Sequence, residues 1–435
     1  MTATYPPLNK CTVHDDIVIR VATITGHSQP KTMSGSANFE LDLREFVTLN
    51  IKCIHFFGYF SPEFAENSKK RILFRIYATV FVGFAFVLSL LSQIANMIDA
   101  FGDMEKMTEA SFLLFTNIVQ CLKLYCFMKY GARVWRLVHS LNRKIFKPRN
   151  ATQYDVLKRD IGRSKIITKL FLLACTITYA SWCVSPFLDK KGENGVRLPL
   201  SGWYPFSTKE TPAFELAYAY QIFTTWVGGL GDISMDTFMS GAIMVISAEL
   251  SVLNNALETL KQRFVDDPQK IREEEKLVNK ELVRCVIHYK NIIGFANEVT
   301  YLFTDCITAQ FLVGVIIVCM SMFQMSLVPV MSFRFFAMML YQICVLMEMF
   351  LWCYYGNEVI LKSDLLTQSA YMCEWVDNSK EFKQNLLYFM TRTQFNLQLY
   401  ASGYFALSLQ TFKAIIKSSW SYFAVLNQVH DQKMA

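Results

Sequence analysis

The run IYATVFVGFAFVLSLLSQIANMI, from Ile76 to Ile98, is dense in Phe, Val and Leu and matches the roughly 20 apolar residues that a helix needs to cross a bilayer. The chain around it is built the same way. Of its 435 residues, 53% are hydrophobic and the mean hydropathy is +0.25, more apolar surface than an ordinary globular core can bury. The fold class that follows is all-α, a polytopic membrane protein with seven transmembrane helices. Outward from the first span, the second runs from about Ala110 to Tyr130, the third from Ile166 to Phe187 and the fourth from about Ala213 to Leu253. The fifth runs from about Ile292 to Leu327, the sixth from Phe333 to Tyr355 and the seventh from about Leu399 to Val429. Helices four to seven are expected to extend into the cytoplasm. Between spans four and five, ALETLKQRF and REEEKLVNKELVRCVIHYK are polar and rich in helix formers, which reads as a solvated helical face.

The net charge of +7 does not mark a nucleic-acid binder, because the basic residues lie between apolar runs, where they set membrane orientation. Lys69, Lys70 and Arg71 precede span one, and Lys129 to Lys165 of the second loop and Lys261 to Lys290 of the fourth are rich in Lys and Arg. The first loop has only Lys106, the fifth little beyond Arg334, and the third Lys190, Lys191, Arg197 and Lys209. The N-terminus and loops two, four and six are therefore expected inside, and the C-terminus outside. This divides the chain into a cytoplasmic segment 1–72, a seven-span domain 73–429 with cytoplasmic helical extensions at about 250–291 and 357–398, and an extracellular tail 430–435. The opening MTATYPPLNK lacks the apolar core of a signal peptide, so the first span is expected to direct insertion. The only sequon, Asn150-Ala-Thr152, falls in the basic second loop and in this topology stays unmodified.

No catalytic constellation is present. The histidines are scattered, no Cys-x-x-Cys pair occurs, and no disulfide framework, metal site or cofactor is implied. The protein reads as no enzyme. GGLGD, from Gly228 to Asp232, lies inside a span, where glycines serve close helix packing or a kink rather than a phosphate loop. Asp232 and Asp236, one turn apart in span four, Asp305 in span five and Glu348 in span six are intramembrane acids. Such groups face protein or water; here inter-helix hydrogen bonding is the expectation, with an ion or proton path the rival.

The last span ends SSWSYFAVLNQV, Ser418 to Val429. At about 100° per residue, Ser418, Ser421, Val425 and Gln428 share one face with Val429 adjoining. Hydroxyls, an amide and valines suit a narrow aqueous path closed by dewetting, to which several subunits would each contribute a helix. They suit helix–helix adhesion equally well. Trp420, Phe423 and Leu426 on the opposite face are expected to pack on the bundle.

SYFAVLNQV and the third-loop stretch LPLSGWYPFSTKETPAFELAYAYQ, Leu198 to Gln221, resemble insect odorant receptors, and the resemblance covers essentially the whole length. It implies an odorant-binding subunit of a ligand-gated nonselective cation channel, in a heterotetramer with a shared coreceptor subunit, in the plasma membrane of olfactory sensory neurons. Val425, Gln428 and Val429 would constrict its pore. The short connection between spans four and five departs from the coreceptor and suits a ligand-specific subunit. A gustatory receptor subunit is the nearest alternative; a G-protein-coupled receptor lacks support, since the chain has no Asp-Arg-Tyr after span three and no Asn-Pro-x-x-Tyr in span seven. A transporter is the other rival.

The resemblance also implies a ligand held among spans two, three, four and six in their outer half. Volatile molecules have few polar atoms, so apolar and aromatic walls are expected. Span three offers Cys175, Thr178 and Trp182 on one face with Tyr179 beside it; span two offers Phe112, Phe115 and Thr116. Span four offers Tyr218, Ile222 and Phe223, and span six Phe336 and Met339. None of these is charged, which points to a small neutral ligand.

Overall fold

The computed structural model describes residues 41–61, 69–188, 198–208, 210–260 and 268–434. Lys190, Lys191, Arg197, Lys209, Lys261, Arg263 and the first 40 residues of the expected cytoplasmic segment lie outside the described residues. Ten α-helices occupy the described part. They are α1 (Thr48–Phe56), α2 (Lys69–Asp99, with a π-turn at Gly83–Val87), α3 (Met104–Lys129), α4 (Gly131–Ser140) and α5 (Ala151–Leu188). Then come α6 (Ala213–Glu258), α7 (Pro268–Leu327), α8 (Phe333–Tyr371), α9 (Lys380–Thr393) and α10 (Leu409–Met434).

Six of these, α2, α3, α5, α6, α7 and α8, are long and apolar enough to cross a membrane, and they coincide with the first six expected spans. The seventh, α10, is less apolar because Lys413, Lys417 and the serine and amide stripe interrupt it. Local chemistry sets several helix starts. The carboxylate of Asp103 accepts from the amides of Glu105 and Lys106 at the head of α3. The hydroxyls of Ser332 and Ser379 cap α8 and α9 by accepting from Phe335 and Phe382, satisfying donors that a helix leaves orphaned.

Helix α6 is the spine. Its most apolar stretch is 94% buried, against 17% for that of α2, so α6 is enclosed by protein and α2 faces outward. Lipid tails are as apolar as leucine, so the helices gain little from burial alone and depend on close packing and internal hydrogen bonds. The glycines of GGLGD supply that closeness. A Cβ on Gly229 would occupy the ring of Tyr179, and one on Gly231 the ring of Tyr59; the Tyr59 hydroxyl then donates to the carbonyl of Val227 at 3.2 Å. The motif is a packing surface, as its place in a span suggests. Helix α1 docks on the same stretch, where the Asn50 amide donates to Ser234 O at 3.0 Å and Thr237 Oγ1 at 2.5 Å.

At one end of the molecule, α6, α7 and α8 run on beyond any membrane. With 60 residues, α7 is about 90 Å long, some three times the hydrocarbon thickness. Here α9 packs on α7 through Tyr289 and Phe389, with ring centroids 5.8 Å apart, and Asn279 donates to Glu381 at 3.0 Å. His288 and Glu249 form a buried pair at 2.9 Å.

The start of the seventh span differs from expectation. Leu399 to Leu407 is not helical; it holds a two-stranded antiparallel hairpin, β1 (Tyr400–Ala401) against β2 (Phe405–Ala406). Ser402 and Gly403 adopt positive φ, 49° and 74°, the conformation that turns a chain tightly and that glycine accepts without strain. The hairpin is pinned to α7, where the amide of Ser402 donates to Thr304 Oγ1 at 2.5 Å and Thr308 Oγ1 donates to Ser402 Oγ at 2.8 Å. Only after this turn does α10 begin.

Candidate functional site

A cavity lies among α2, α3, α5, α6 and α8 near the end where the loop 198–208 crosses the bundle. Its inner chamber, about 60 Å³, is lined by Gln93, Thr116, Asn117, Gln120, Thr178, Tyr179, Trp182, Asp232 and Tyr341 among others. A second chamber of about 270 Å³ shares Tyr179, Trp182, Leu200 and Thr225 and adds Ile222, Trp226, Val184 and Pro199. The loop is strapped over both. Gln221 accepts from the Leu200 amide at 3.1 Å and donates to its carbonyl at 3.0 Å. Ser92 likewise accepts at its carbonyl from Trp203 N, and its hydroxyl donates to Trp203 O at 2.7 Å.

Four residues expected at the site line the inner chamber: Thr116, Thr178, Tyr179 and Trp182. Ile222 lines the outer one. Trp182 is fixed by its indole N–H, which donates to Ala337 O at 3.2 Å. Phe112 stands behind it, 2% exposed, with its ring 6.1 Å from Trp182 and 5.4 Å from Tyr341. The Tyr341 hydroxyl meets Thr116 Oγ1 at 2.6 Å. The others lie off the chambers. Cys175 is buried core and Phe115 packs against it. Tyr218 donates to Cys183 O and stacks near Phe187 and Phe214. Met339 is half-buried. Phe223 and Phe336 are 41% and 38% exposed on the outer surface, Phe223 against Phe81 and Phe84 of α2. Helical phase explains the split, because each span shows only one face to the chambers.

Sequence reasoning missed the polar side of the chamber, which includes a charge. Lys123 of α3 is 1% exposed and its ammonium lies 3.1 Å from Asp232, 2.8 Å from Asp236 and 2.5 Å from Glu348, 5.6 Å from the Trp352 ring centroid. Three of the four acids flagged in the sequence thus converge through a lysine inside span two. A buried charge is tolerated when it is paired and hydrogen-bonded, and one ammonium here serves three carboxylates. Asp305 stands apart, exposed on α7. The signal was present in the sequence: a lone lysine in one apolar run with acids in two others.

The stripe on α10 has the opposite fate. The helix packs on α7, burying Ile415 and Ser419 and setting His430 against the Phe323 ring at 5.4 Å. Ser418 is half-buried; Ser421, Val425, Gln428 and Val429 are exposed, the two valines at 60% and 41%. Trp420, expected against the bundle, is instead 60% exposed, while Phe423 and Leu426 are half-buried. The reason is that small Ser419 allows the close approach, which centres the packing face one residue away from Trp420.

The model of the 7tm Odorant receptor family matches residues 103–420. Odorant receptor Or1 of Anopheles gambiae is 22% identical over 90% of this chain and 97% of its own length, and odorant receptor 2a of Drosophila melanogaster is 22% identical over 91% and 99%. The solved insect olfactory receptor OR5 of Machilis hrabei, in complex with eugenol, superposes with a TM-score of 0.76 at 18% identity, covering 89% of this chain and 98% of that one; at that identity the likeness establishes the fold. With a family match over most of its length, the chain belongs to the insect odorant receptors, multi-pass membrane receptors rather than enzymes.

Proposed function

We infer that this chain is the odorant-binding subunit of a ligand-gated, nonselective cation channel that works as a heterotetramer with a coreceptor subunit in the plasma membrane of olfactory sensory neurons. The observation that carries this is the pairing of a strapped, aromatic-walled cavity with a helix whose stripe residues Ser421, Val425, Gln428 and Val429 stay exposed among the described residues of the chain. A receptor that signalled through a second protein would have no use for that open face; a channel needs one from each subunit around an axis. Val425 and Val429 form the apolar constriction and Gln428 replaces part of the hydration of a passing ion. Residues Thr116, Thr178, Tyr179, Trp182 and Ile222 hold a small volatile ligand, and Phe112 supports them. The complex of the Machilis hrabei receptor with eugenol supports this class of ligand.

The lysine and arginine asymmetry sets the N-terminal segment 1–72 and the extensions near 250–291 and 357–398 in the cytoplasm, and the tail 430–435 outside. In cells that coexpress a coreceptor, odorant addition is expected to evoke currents within milliseconds that persist under G-protein blockade. A tag at the N-terminus should be hidden in intact cells and one after Ala435 accessible. Currents abolished by the blockade, or the reverse tag pattern, refute the assignment.

A further inference from the structure

The inner chamber has a surplus of hydrogen-bond acceptors, and that surplus names a ligand class. Its principal donors are already engaged. The Gln120 amide donates to Gly228 O at 2.5 Å, Asn117 donates to Gln93 Oε1 at 2.8 Å, and the hydroxyls of Tyr341 and Thr116 pair with each other. The nearest cation, Lys123, is divided among three carboxylates. Of those three acids only Asp232 lines the chamber; its side chain keeps 15% exposure, against 2% for Asp236 and 7% for Glu348. An ionised carboxylate has about four lone-pair positions and donates nothing. One oxygen of Asp232 receives Lys123 Nζ, which leaves acceptor capacity turned toward the ligand space.

We propose that Asp232 is a specificity-determining residue, and that the chambers take an amphiphile with a polar hydrogen at one end. The head, an alcohol or phenol O–H or an amine N–H, donates to the Asp232 carboxylate in the small chamber. The apolar tail lies past Tyr179 and Trp182 in the larger one, against Ile222 and Trp226. This rests on the cavity being the odorant site and adds its selection rule. The physical ground is asymmetric. A donor head satisfies the acceptor capacity that Lys123 leaves on Asp232, and a charge-assisted hydrogen bond is about twice as strong as a neutral one. An ether or aldehyde of equal size excludes solvent from that carboxylate and returns nothing, leaving a buried acceptor unsatisfied. The Lys123 cluster sharpens the rule, because with three acids to one ammonium it favours an incoming donor and opposes an incoming acceptor.

The test uses the full-length chain coexpressed with a coreceptor and matched probes: the straight-chain alcohols from butyl to octyl and benzyl alcohol, each with its methyl ether and its aldehyde. On the wild-type channel the alcohol of each active set is expected to be about tenfold or more potent than its ether and aldehyde. Asp232→Asn keeps the shape, presents an amide that donates as well as accepts, and should collapse that preference to within about threefold. Trp182→Ala should lower potency for every probe alike. Ethers or aldehydes as potent as alcohols on the wild-type channel overturn the rule without any variant having to fold. So does a preference that survives in surface-expressed Asp232→Asn, or a channel that answers other odorants and none of the alcohols. If Trp182→Ala shifts all probes while alcohol and ether are equal, the cavity stands as the odorant site and only the selection rule falls. If neither variant changes any response, the cavity itself is not the site.

Discussion

Helices α6 and α10 are both apolar helices with a polar stripe, and the molecule treats the stripes in opposite ways. On α6, Asp232 and Asp236 are answered within the chain by Lys123, with Glu348 of α8 in the same cluster, and the most apolar stretch of the helix is 94% buried. On α10, Ser421, Val425 and Gln428 are left open. The difference teaches that a polar stripe in a membrane helix does not by itself mark a conduit. Charge demands a partner, and α6 finds its partner inside one chain. Hydroxyls, amides and valines demand little, so α10 can wait for water, ions or a neighbouring subunit.

The comparison breaks most visibly at Lys123. Lys123→Met leaves three acids without their cation, and removing one member of a buried ion cluster costs about 3–5 kcal/mol. Surface biotinylation should show receptor at the membrane falling at least tenfold. Combining Lys123→Met with Asp232→Asn, Asp236→Asn and Glu348→Gln should restore much of it. Normal surface levels in the single variant would mean that the cluster is not held together by charge.

Packing gives the next effect. Gly229→Val or Gly231→Val drives a branched side chain into Tyr179 or Tyr59, an overpacking expected to cost about 1–3 kcal/mol. The counterpart Ala424→Val, on the exposed face of α10, should be silent. Thermal melting of detergent-solubilised receptor separates the two, and equal melting points would remove the distinction between an enclosed and an open helix.

Trp182 tests the cavity rather than the fold. Trp182→Ala deletes an aromatic wall shared by both chambers, and losing about 1.4 kcal/mol of contact raises the half-maximal odorant concentration about tenfold. Unchanged potency at normal surface expression would move the ligand elsewhere.

The smallest effect on stability is expected on α10. Val425→Ser and Gln428→Lys should leave the melting point almost unmoved, within about 0.5 kcal/mol. Single-channel recording should show the change instead: leak or easier opening for the serine, and reduced cation conductance for the lysine. In the proposed heterotetramer both effects should be partial, since a coreceptor would supply the other pore helices. Reduced assembly with unchanged conductance would make the open face an adhesive surface like that of α6.

The sequence by itself determined the class of this protein, the first six spans and the family, because membrane helices are specified by runs of apolar residues that are local and long. It also determined which face of α10 is polar, since helical phase needs no tertiary knowledge. Of the ligand-site residues it offered, the fold brings only some to the chambers. Thr178, Tyr179 and Trp182 share the stretch of α5 that lines the inner chamber, whereas Phe223 and Phe336 point outward although their residue type suits a pocket. Tertiary structure alone decided three things. It placed Lys123 among acids from two other helices, contacts separated by 109 and 225 residues. It replaced the first turns of the seventh span by a hairpin docked on α7. It turned Trp420 outward by letting Ser419 make the close contact. In each case the deciding quantity is the rotation and approach of one helix against another, which side chains from distant parts of the chain set together and no local pattern records.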